Sequence, residues 1–268
     1  MSRVVTEIIE GWEFAREEGQ EKQQEKRFRP VTLPHDWAVE LPFDKEMAEG
    51  EAQGFHNRFG IGWYRKKLFL PCKQADVRYY LEFGGISENS TVWMNGQEAG
   101  GRKYGYSTFR LDVTELVKQG ENLILVKVDN TCRPADRWYS GAGIYRTVKW
   151  LELDKRHLED WEIILHQSHS GNRDSDRNGV GNKDFNPSAF IEIETGYKTE
   201  NAPECSVHAI LKESREGREW QAVADREGCI HFEIPSPRLW SAETPDLYTL
   251  ELVLYEEGRI CGPKRNPS

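Results

Sequence analysis

Short segments in which apolar and polar residues alternate recur along most of this chain and limit what it can fold into. Residues 78–83, 109–113 and 205–211 show the pattern, and turn residues separate such segments about every ten positions. Successive side chains of a strand point to opposite faces of a sheet, so a period of two predicts half-buried β-strands. The regular spacing of predicted strands after residue 188 is typical of an immunoglobulin-like antiparallel sandwich. The predicted strands are residues 63–70, 78–83, 91–94, 97–100, 109–113, 123–128, 144–153, 161–165, 189–194, 205–211, 229–234 and 247–254.

Two of these segments carry more specific signals. Asn95 and Gly96 separate two short strands, and an Asn-Gly pair favours a type I′ hairpin turn because both central positions need a positive φ. Residues 123–128 are almost continuously apolar, which predicts a strand that is covered on both faces.

Helical patterns are rare. Residues 114–117 predict a single capped turn, with Thr114 as its N-cap and Gly120 ending it. The apolar residues of segment 6–26 follow no clean helical stripe, which leaves the structure of that segment open. Because no amphipathic helices lie between the predicted strands, a doubly wound parallel sheet is excluded. The predicted fold class is therefore all-β.

The composition changes near residue 155. A strand at 161–165 is followed by residues 166–188, which are rich in Gly, Asn, Asp, Ser and Arg and predict a long polar loop or a disordered insert. We therefore expect two all-β domains in series, with the change of domain near residue 155.

Charge and cysteine content exclude several classes of partner. The chain has 45 acidic and 36 basic residues, and its net charge of −9 disfavours nucleic acids and anionic membrane surfaces. The longest aliphatic run, residues 123–126, is far shorter than the roughly 20 residues that cross a bilayer. Five scattered cysteines, with no signal-peptide pattern at the N-terminus, predict reduced thiols and a cytoplasmic location.

The residues form no complete catalytic motif. Nucleophile-elbow, dinucleotide-binding, P-loop and zinc-protease patterns are absent from the sequence. His166 and His169 have a spacing that would let them share a metal, but they lie in the polar segment without an orienting acid pair. A retaining glycosidase needs two carboxyl groups about 5–5.5 Å apart, and no spacing here demands such a pair. We therefore assign no catalytic residue, metal or cofactor to this chain.

Five clusters combine aromatic with polar residues. Exposed Trp and Tyr suit sugars, whose apolar faces stack on rings while their hydroxyl groups form hydrogen bonds. Taken one by one, the clusters are better explained as core or interface packing. They are Leu-Pro-His-Asp-Trp at 33–37, Gly-Trp-Tyr-Arg at 62–65, Val-Trp-Met-Asn-Gly at 92–96 with the segment 105–109, the segment 136–146, and Pro-Arg-Leu-Trp at 237–240 with Pro-Asp-Leu-Tyr at 245–248.

In this order, the clusters resemble the N-terminal half of glycoside hydrolase family 2, which includes bacterial β-galactosidases and β-glucuronidases. The resemblance covers about residues 5–258, and its most specific block is Arg-Trp-Tyr-Ser-Gly-Ala-Gly-Ile-Tyr-Arg at 137–146. It implies a jelly-roll sugar-binding domain over residues 1–154, an immunoglobulin-like β-sandwich over 155–262 and a tail at 263–268. In that family a TIM barrel follows and carries both catalytic glutamates, and residues 261–268 do not resemble the continuation into it.

The resemblance implies that the chain is the non-catalytic N-terminal part of a retaining β-glycosidase that docks on such a barrel. The block at 137–146 resembles the β-galactosidase branch more than the glucuronidase branch, so a β-galactoside is the expected carbohydrate partner. Without the barrel's glutamates we expect the polypeptide to be inactive alone and to expose apolar docking surface. A free-standing carbohydrate-binding module or a scaffold domain is the alternative. The sequence leaves three questions open. They are whether the full enzyme needs a divalent cation such as Mg²⁺, whether the chain forms a homo-oligomer, and whether it is a truncation or a complete gene product.

The resemblance also points to the loop that would reach the sugar. Asp136 or Arg137 would bind a hydroxyl group, while Trp138 and Tyr139 would stack on the sugar or pack on the barrel. Ungapped spacing places Arg137 where relatives carry an acidic residue, so both Asp136 and Arg137 stay candidates. The alternative is that this loop only docks the two domains. Structural roles in bracing loops or pairing with acids are expected for His35, Asp36, Arg65 and Arg146.

Overall fold

The computed structural model describes residues 4–17, 27–46, 54, 57–132, 141–168, 188–198, 205–256 and 258–261. Its backbone divides into two compact units, with the division between Leu153 and Asp154. The described residues form β-strands and one short 3-10 helix, and contain no α-helix. The predicted all-β fold class is confirmed. In this part of the chain no helix is long and apolar enough to cross a membrane.

The strands up to the division form two antiparallel sheets. They are β1 (Val4–Glu7), β2 (Trp12–Arg16), β3 (Arg29–Val31), β4 (Ile61–Leu70), β5 (Val77–Phe83), β6 (Asn89–Met94), β7 (Gln97–Arg102), β8 (Phe109–Asp112), β9 (Gly120–Asp129) and β10 (Val148–Asp154), with the 3-10 helix at Trp37–Glu40 between β3 and β4. One sheet has the order β3-β2-β4-β9-β6-β7, and the other has the order β1-β10-β5-β8. The segment 6–26, which the sequence left open, contributes the end of β1 and all of β2.

The core of this first unit lies between its two sheets. Trp12, Tyr64 and Ile124 point inward from the six-stranded sheet, while Tyr79 and Phe83 of β5 point inward from the four-stranded one. All five side chains are 0% exposed. Each burial of a large apolar side chain stabilises a fold by about 1.5–3 kcal/mol, so the aromatic residues account for much of this sandwich.

The Asn-Gly hairpin is confirmed. Asn95 and Gly96 have φ angles of 53° and 84°, and β6 and β7 pair on either side of them. The prediction for residues 123–128 is wrong in one respect, because β9 is buried on one face only. Ile124 and Val126 are fully buried, whereas Leu123 is 40% exposed. The six-stranded sheet has a sandwich partner on one side, so the apolar run does not require cover on both.

The short turn after β8 forms, but its cap is a different residue. Asp112 Oδ1 accepts the hydrogen bond from the Thr114 amide at 2.9 Å. The Thr114 hydroxyl oxygen instead accepts from the Tyr79 amide on β5, also at 2.9 Å. Gly120 begins β9 with a φ of 92°. A neighbouring strand therefore takes the hydroxyl group that the local pattern assigns to a cap.

The second unit is also built from two sheets. Its strands are β11 (His157–Ser168), β12 (Ser188–Lys198), β13 (Cys205–Glu213), β14 (Glu219–Val223), β15 (Cys229–Pro235), β16 (Tyr248–Glu256) and β17 (Arg259–Cys261). The sheets have the orders β11-β12-β15 and β14-β13-β16-β17. Its core consists of Val207, Ala209 and Leu211 of β13, Ile230, Phe232 and Ile234 of β15, and Leu254 of β16.

The predicted polar loop at 166–188 is shorter than expected at both ends. β11 runs through Ser168 and β12 begins at Ser188, and these two residues are partners in one antiparallel ladder. Backbone pairing does not depend on apolar side chains, so strands extend into sequence whose composition predicts a loop. Residues 169–187 lie outside the described residues.

Candidate functional site

The four predicted sugar-contacting residues, Asp136, Arg137, Trp138 and Tyr139, lie outside the described residues. The description ends at Cys132 and resumes at Gly141. The structure shows the contacts of the residues that follow them, 141–144.

Asp36 makes two hydrogen bonds that link distant parts of the chain. Its Oδ1 atom accepts from the Ala38 amide at 2.8 Å, which caps the 3-10 helix Trp37–Glu40. The same atom accepts from the Ala142 amide at 2.8 Å. The carboxylate therefore satisfies backbone donors of both segments at once. The expectation that Asp36 braces a loop is confirmed.

Backbone hydrogen bonds extend this link on both sides. The His35 amide donates to the Ile144 carbonyl at 2.8 Å, and the Trp37 amide donates to the Ala142 carbonyl at 3.0 Å. Ser87 and Gly143 exchange two backbone hydrogen bonds of 2.9 Å. We call residues 35–37, Ser87 and residues 142–144 the Asp36–Ala142 junction.

Gly143 is required at the centre of this junction. Its φ is 121°, a conformation that other residues rarely adopt. A Cβ atom there would lie 2.3 Å from the Tyr64 hydroxyl oxygen and 2.7 Å from the His35 carbonyl oxygen. The Gly-Ala-Gly part of the resemblance block therefore has a packing reason.

The buried polar side chains of His35 and Tyr64 pack against the junction. His35 Nδ1 lies 2.7 Å from the Tyr64 hydroxyl group, and His35 Nε2 lies 3.1 Å from Glu40 Oε1. Burial lowers the pKa of His35 below its ordinary value, although Glu40 acts in the opposite direction. Burial also raises the pKa of Tyr64 well above its ordinary value. Both groups therefore remain neutral near pH 7, and they position the backbone rather than carry charge.

Three further polar groups near the loop were not singled out by sequence reasoning. Arg58, 4% exposed, donates to Glu88 Oε2 at 3.1 Å, and Ser87 Oγ donates to the Gly141 carbonyl at 3.2 Å. Asn130 is fully buried, and neither side-chain polar atom has a hydrogen-bond partner among the described residues. No local signal identifies these residues, because their partners or their burial arise from distant segments.

The arginines of the motifs have structural partners, as expected. Arg65 forms a two-pronged pair with Glu13, with Nε and Nη2 at 2.7 and 3.1 Å from the two carboxylate oxygens. Its guanidinium group also lies 4.1 Å from the centre of the Phe28 ring. Arg146 Nη1 donates to the Gly84 carbonyl at 3.3 Å.

Two partly buried carboxyl groups, Glu82 and Asp129, do not have the environment of a general acid. Burial alone would raise the pKa of Glu82, but hydrogen bonds from Arg110 and Lys149 lower it below its ordinary value. Burial would likewise raise the pKa of Asp129, and hydrogen bonds from Thr131 and Lys127 lower it. A glycosidase acid needs the opposite shift. Within the described ranges, no group of three or more His, Cys, Asp or Glu side chains is placed to hold a metal ion.

The aromatic clusters divide into buried and exposed sets. Trp37 and Tyr64 of the first unit are core residues at 1% and 0% exposure. In the second unit the loop between β15 and β16 exposes Leu239, Trp240 and Leu247 by 45, 64 and 62%. Core packing therefore explains part of the aromatic content, and the β15–β16 loop presents apolar surface.

Comparison with known proteins gives two family matches and several long relatives. The models described as "Glycosyl hydrolases family 2, sugar binding domain" and "Glycosyl hydrolases family 2" match residues 20–154 and 181–261. A β-galactosidase of Bacteroides ovatus is 32% identical over 89% of this chain, and a β-glucuronidase of Bacteroides fragilis is 27% identical over 86%. The crystal structure of a β-glycosidase from Bacteroides vulgatus matches 97% of the chain with a TM-score of 0.76 and 27% identity.

These matches agree with the two sandwiches described above, a jelly roll followed by an immunoglobulin-like domain. The chain spans only 28 and 33% of the length of the two relatives and 33% of the solved β-glycosidase. The sugar-binding family model by itself covers half of the chain. The chain therefore belongs to glycosyl hydrolase family 2.

Proposed function

We propose that this chain supplies the sugar-binding and immunoglobulin-like part of a retaining β-galactosidase, with the loop at 133–140 forming one wall of the substrate pocket. The observation that carries the proposal is the Asp36–Ala142 junction. It ties residues 142–144, which follow shortly after that segment, to a buried core through a carboxylate and four backbone hydrogen bonds. Side chains that bind a substrate need rigid neighbours, so an anchored segment shortly after residue 140 supports Asp136, Arg137, Trp138 and Tyr139 as candidates.

One observation supports β-galactosides as the substrate class: the block at 137–146 resembles the galactosidase branch. Identity over the whole chain does not separate the two branches. The Bacteroides ovatus β-galactosidase is 32% identical over 89% of the chain, and a putative β-glucuronidase of Formosa agariphila is 29% identical over 98%.

We place the two catalytic carboxyl groups outside these 268 residues. The share of the relatives that the chain covers supports this, because it spans only 28 and 33% of the length of the two enzymes named above. The lowered pKa values of Glu82 and Asp129 make those two carboxyl groups poor proton donors near neutral pH. In the proposed enzyme, the described domains bind and orient the substrate while a further domain cleaves the glycosidic bond.

The test compares this chain with the product of its whole reading frame on nitrophenyl β-galactoside and β-glucuronide. We expect no turnover by the 268 residues alone, and turnover of the galactoside by the whole product. Alanine at Asp136 or Arg137 should lower kcat/KM by about tenfold or more. Hydrolysis by the isolated chain, preference for the glucuronide, or no effect of either substitution would contradict the proposal.

A further inference from the structure

A cleft of about 420 Å³ opens on the first sandwich, and the proposed hydrolysis does not use it. Its lining includes Glu82 of β5 and Lys149 of β10, together with Tyr145 and Arg146 of the segment before β10. Tyr79 and Phe83 of β5 point into the core, so Glu82 lies on the opposite face of the four-stranded sheet. The cleft is therefore a feature of the outer sheet face.

Two of the lining residues, Glu82 and Lys149, belong to a row of paired charges on this sheet face. Glu82 lies between Arg110, whose Nη2 is 2.8 Å from Oε2, and Lys149, whose Nζ is 3.3 Å from Oε1. Glu7 is the cross-strand partner of Lys149 on β1 and faces the same side. The Glu82 carboxylate is thus held in place, and Lys149 retains N–H donors that Glu82 does not use.

Arg146 is the cation of the cleft for which the described part of the chain offers no acidic partner. Its guanidinium group donates to the Gly84 carbonyl at 3.3 Å and lies 5.3 Å from the centre of the Tyr145 ring. Among the described residues no carboxylate forms an ion pair with it. A guanidinium group has a planar set of donors that matches a carboxylate, so Arg146 presents an unfilled carboxylate site.

Contacts within the first sandwich fix the position of Tyr145 and of the segment that carries it. The Tyr145 hydroxyl group donates to the Gly105 carbonyl at 2.8 Å, which fixes the ring. A Cβ atom at Gly84 would lie 3.1 Å from Arg146 Cβ and 3.2 Å from the Thr147 carbonyl oxygen, so a glycine lets this segment lie close to β5. The cleft thus combines a fixed aromatic ring with donors and one acceptor, a combination that suits sugars.

We propose that this cleft binds a uronic acid unit of an acidic glycan. The sugar carboxylate pairs with Arg146, Lys149 donates to a ring hydroxyl group, Glu82 Oε1 accepts from another, and the sugar ring packs against Tyr145. The lining has two cations and one carboxylate, so it favours an anion although the whole chain carries a net charge of −9. A neutral sugar would leave the Arg146 donors without an anionic partner.

The experiment is a calorimetric titration of the 268-residue chain with oligosaccharides of galacturonate and of glucuronate, each beside its neutral methyl ester. We expect at least one acid form to bind about tenfold more tightly than its ester, and the difference to shrink as salt is raised. Arg146→Gln and Lys149→Met should each weaken that binding by about fivefold or more. Lys67→Met, on the six-stranded sheet with its side chain 71% exposed, is the matched control and should not change it.

Unfolding curves of the three variants verify that each keeps the fold. The proposal is overturned if no acid form binds, if the esters bind as tightly, or if the Arg146 and Lys149 variants bind like the wild type. Inorganic sulfate that binds as tightly as the oligosaccharides would also overturn it, since the site would then recognise charge alone.

Discussion

Asp36 and Ala142 are 106 residues apart in the sequence, and a hydrogen bond of 2.8 Å joins the Asp36 carboxylate to the Ala142 amide. The same carboxylate oxygen caps the 3-10 helix that begins one residue later. One side chain therefore connects the Leu-Pro-His-Asp-Trp motif to the Gly-Ala-Gly motif. The two motifs of the sequence are parts of a single structural unit.

Asp36→Ala should destabilise the first sandwich by about 2 kcal/mol, because it removes a helix cap and the acceptor of the Ala142 amide. Urea unfolding followed by tryptophan fluorescence measures the change. Asp36→Asn is the matched control, since its amide oxygen can accept both hydrogen bonds, and it should retain most of the stability. An alanine variant as stable as the asparagine variant would contradict this role.

Gly143→Ala should cost at least about 3 kcal/mol, because the new methyl group meets the Tyr64 hydroxyl oxygen at 2.3 Å and the backbone has a φ of 121°. Gly96→Ala provides the comparison. Gly96 also has a positive φ, but nothing lies within 4 Å of its Cβ position, so only about 1 kcal/mol of backbone strain is expected. Equal losses in thermal unfolding would show that the contact with Tyr64 is unimportant.

The stability of the first sandwich should fall as the pH decreases below 6.5, the ordinary pKa of histidine. Burial lowers the pKa of folded His35, so between that lowered value and 6.5 the unfolded state binds more protons. The free energy of unfolding, measured at several pH values, should lose part of this slope in His35→Asn. His231→Asn, with a side chain 44% exposed, is the control and should keep the slope. An unchanged slope in His35→Asn would contradict the prediction.

Glu213→Gln should lower the Tm of the second sandwich. Glu213 has a side chain that is 0% exposed, and its carboxylate oxygens lie 2.7 and 3.0 Å from Arg218 Nε and Arg238 Nε. An amide group cannot neutralise two arginines, and half of it would direct N–H donors at them. Glu216→Gln changes a neighbour that is 48% exposed and should have a much smaller effect. Scanning calorimetry of the two variants decides this.

The isolated chain should associate with itself at high concentration through the β15–β16 loop. Trp240 and Leu247 are 64 and 62% exposed there, and exposed apolar surface promotes association. Sedimentation velocity should show that Trp240→Ser reduces the association. Phe69→Ser, at a position 71% exposed on β4, should not. A wild-type chain that stays monomeric at every concentration would refute the prediction.

The positions of twelve of the seventeen described strands follow from the sequence because their causes are local, while β1, β2, β3, β14 and β17 were not predicted. Alternation over β5 and β13 is a matter of neighbouring residues, and the Asn95-Gly96 turn depends on the φ preferences of two adjacent positions. The family resemblance is also visible in the sequence, because its blocks are short and continuous. These local signals were sufficient to predict a chain of two β-sandwiches.

Two predictions, for Thr114 and for residues 123–128, were wrong because they depend on segments that are distant in the sequence. Thr114 stands where the local pattern predicts a helix cap, but its hydroxyl oxygen accepts a hydrogen bond from the Tyr79 amide, 35 residues away. Leu123 belongs to an apolar run, but only one side of its sheet has a partner to cover it. Neither outcome can be read from a window of neighbouring residues.

The sequence by itself determined the all-β class, the positions of twelve of the seventeen described strands, the hairpin and the family, because period, turn chemistry and motif blocks act over short stretches of chain. Only the tertiary structure decided that Asp36 holds Ala142, that Gly143 must lack a side chain, and that Arg146 lies beside Tyr145 with no acidic partner among the described residues. Those facts depend on which residues meet after the chain has folded, and hydrogen bonds between residues 106 apart leave no local pattern.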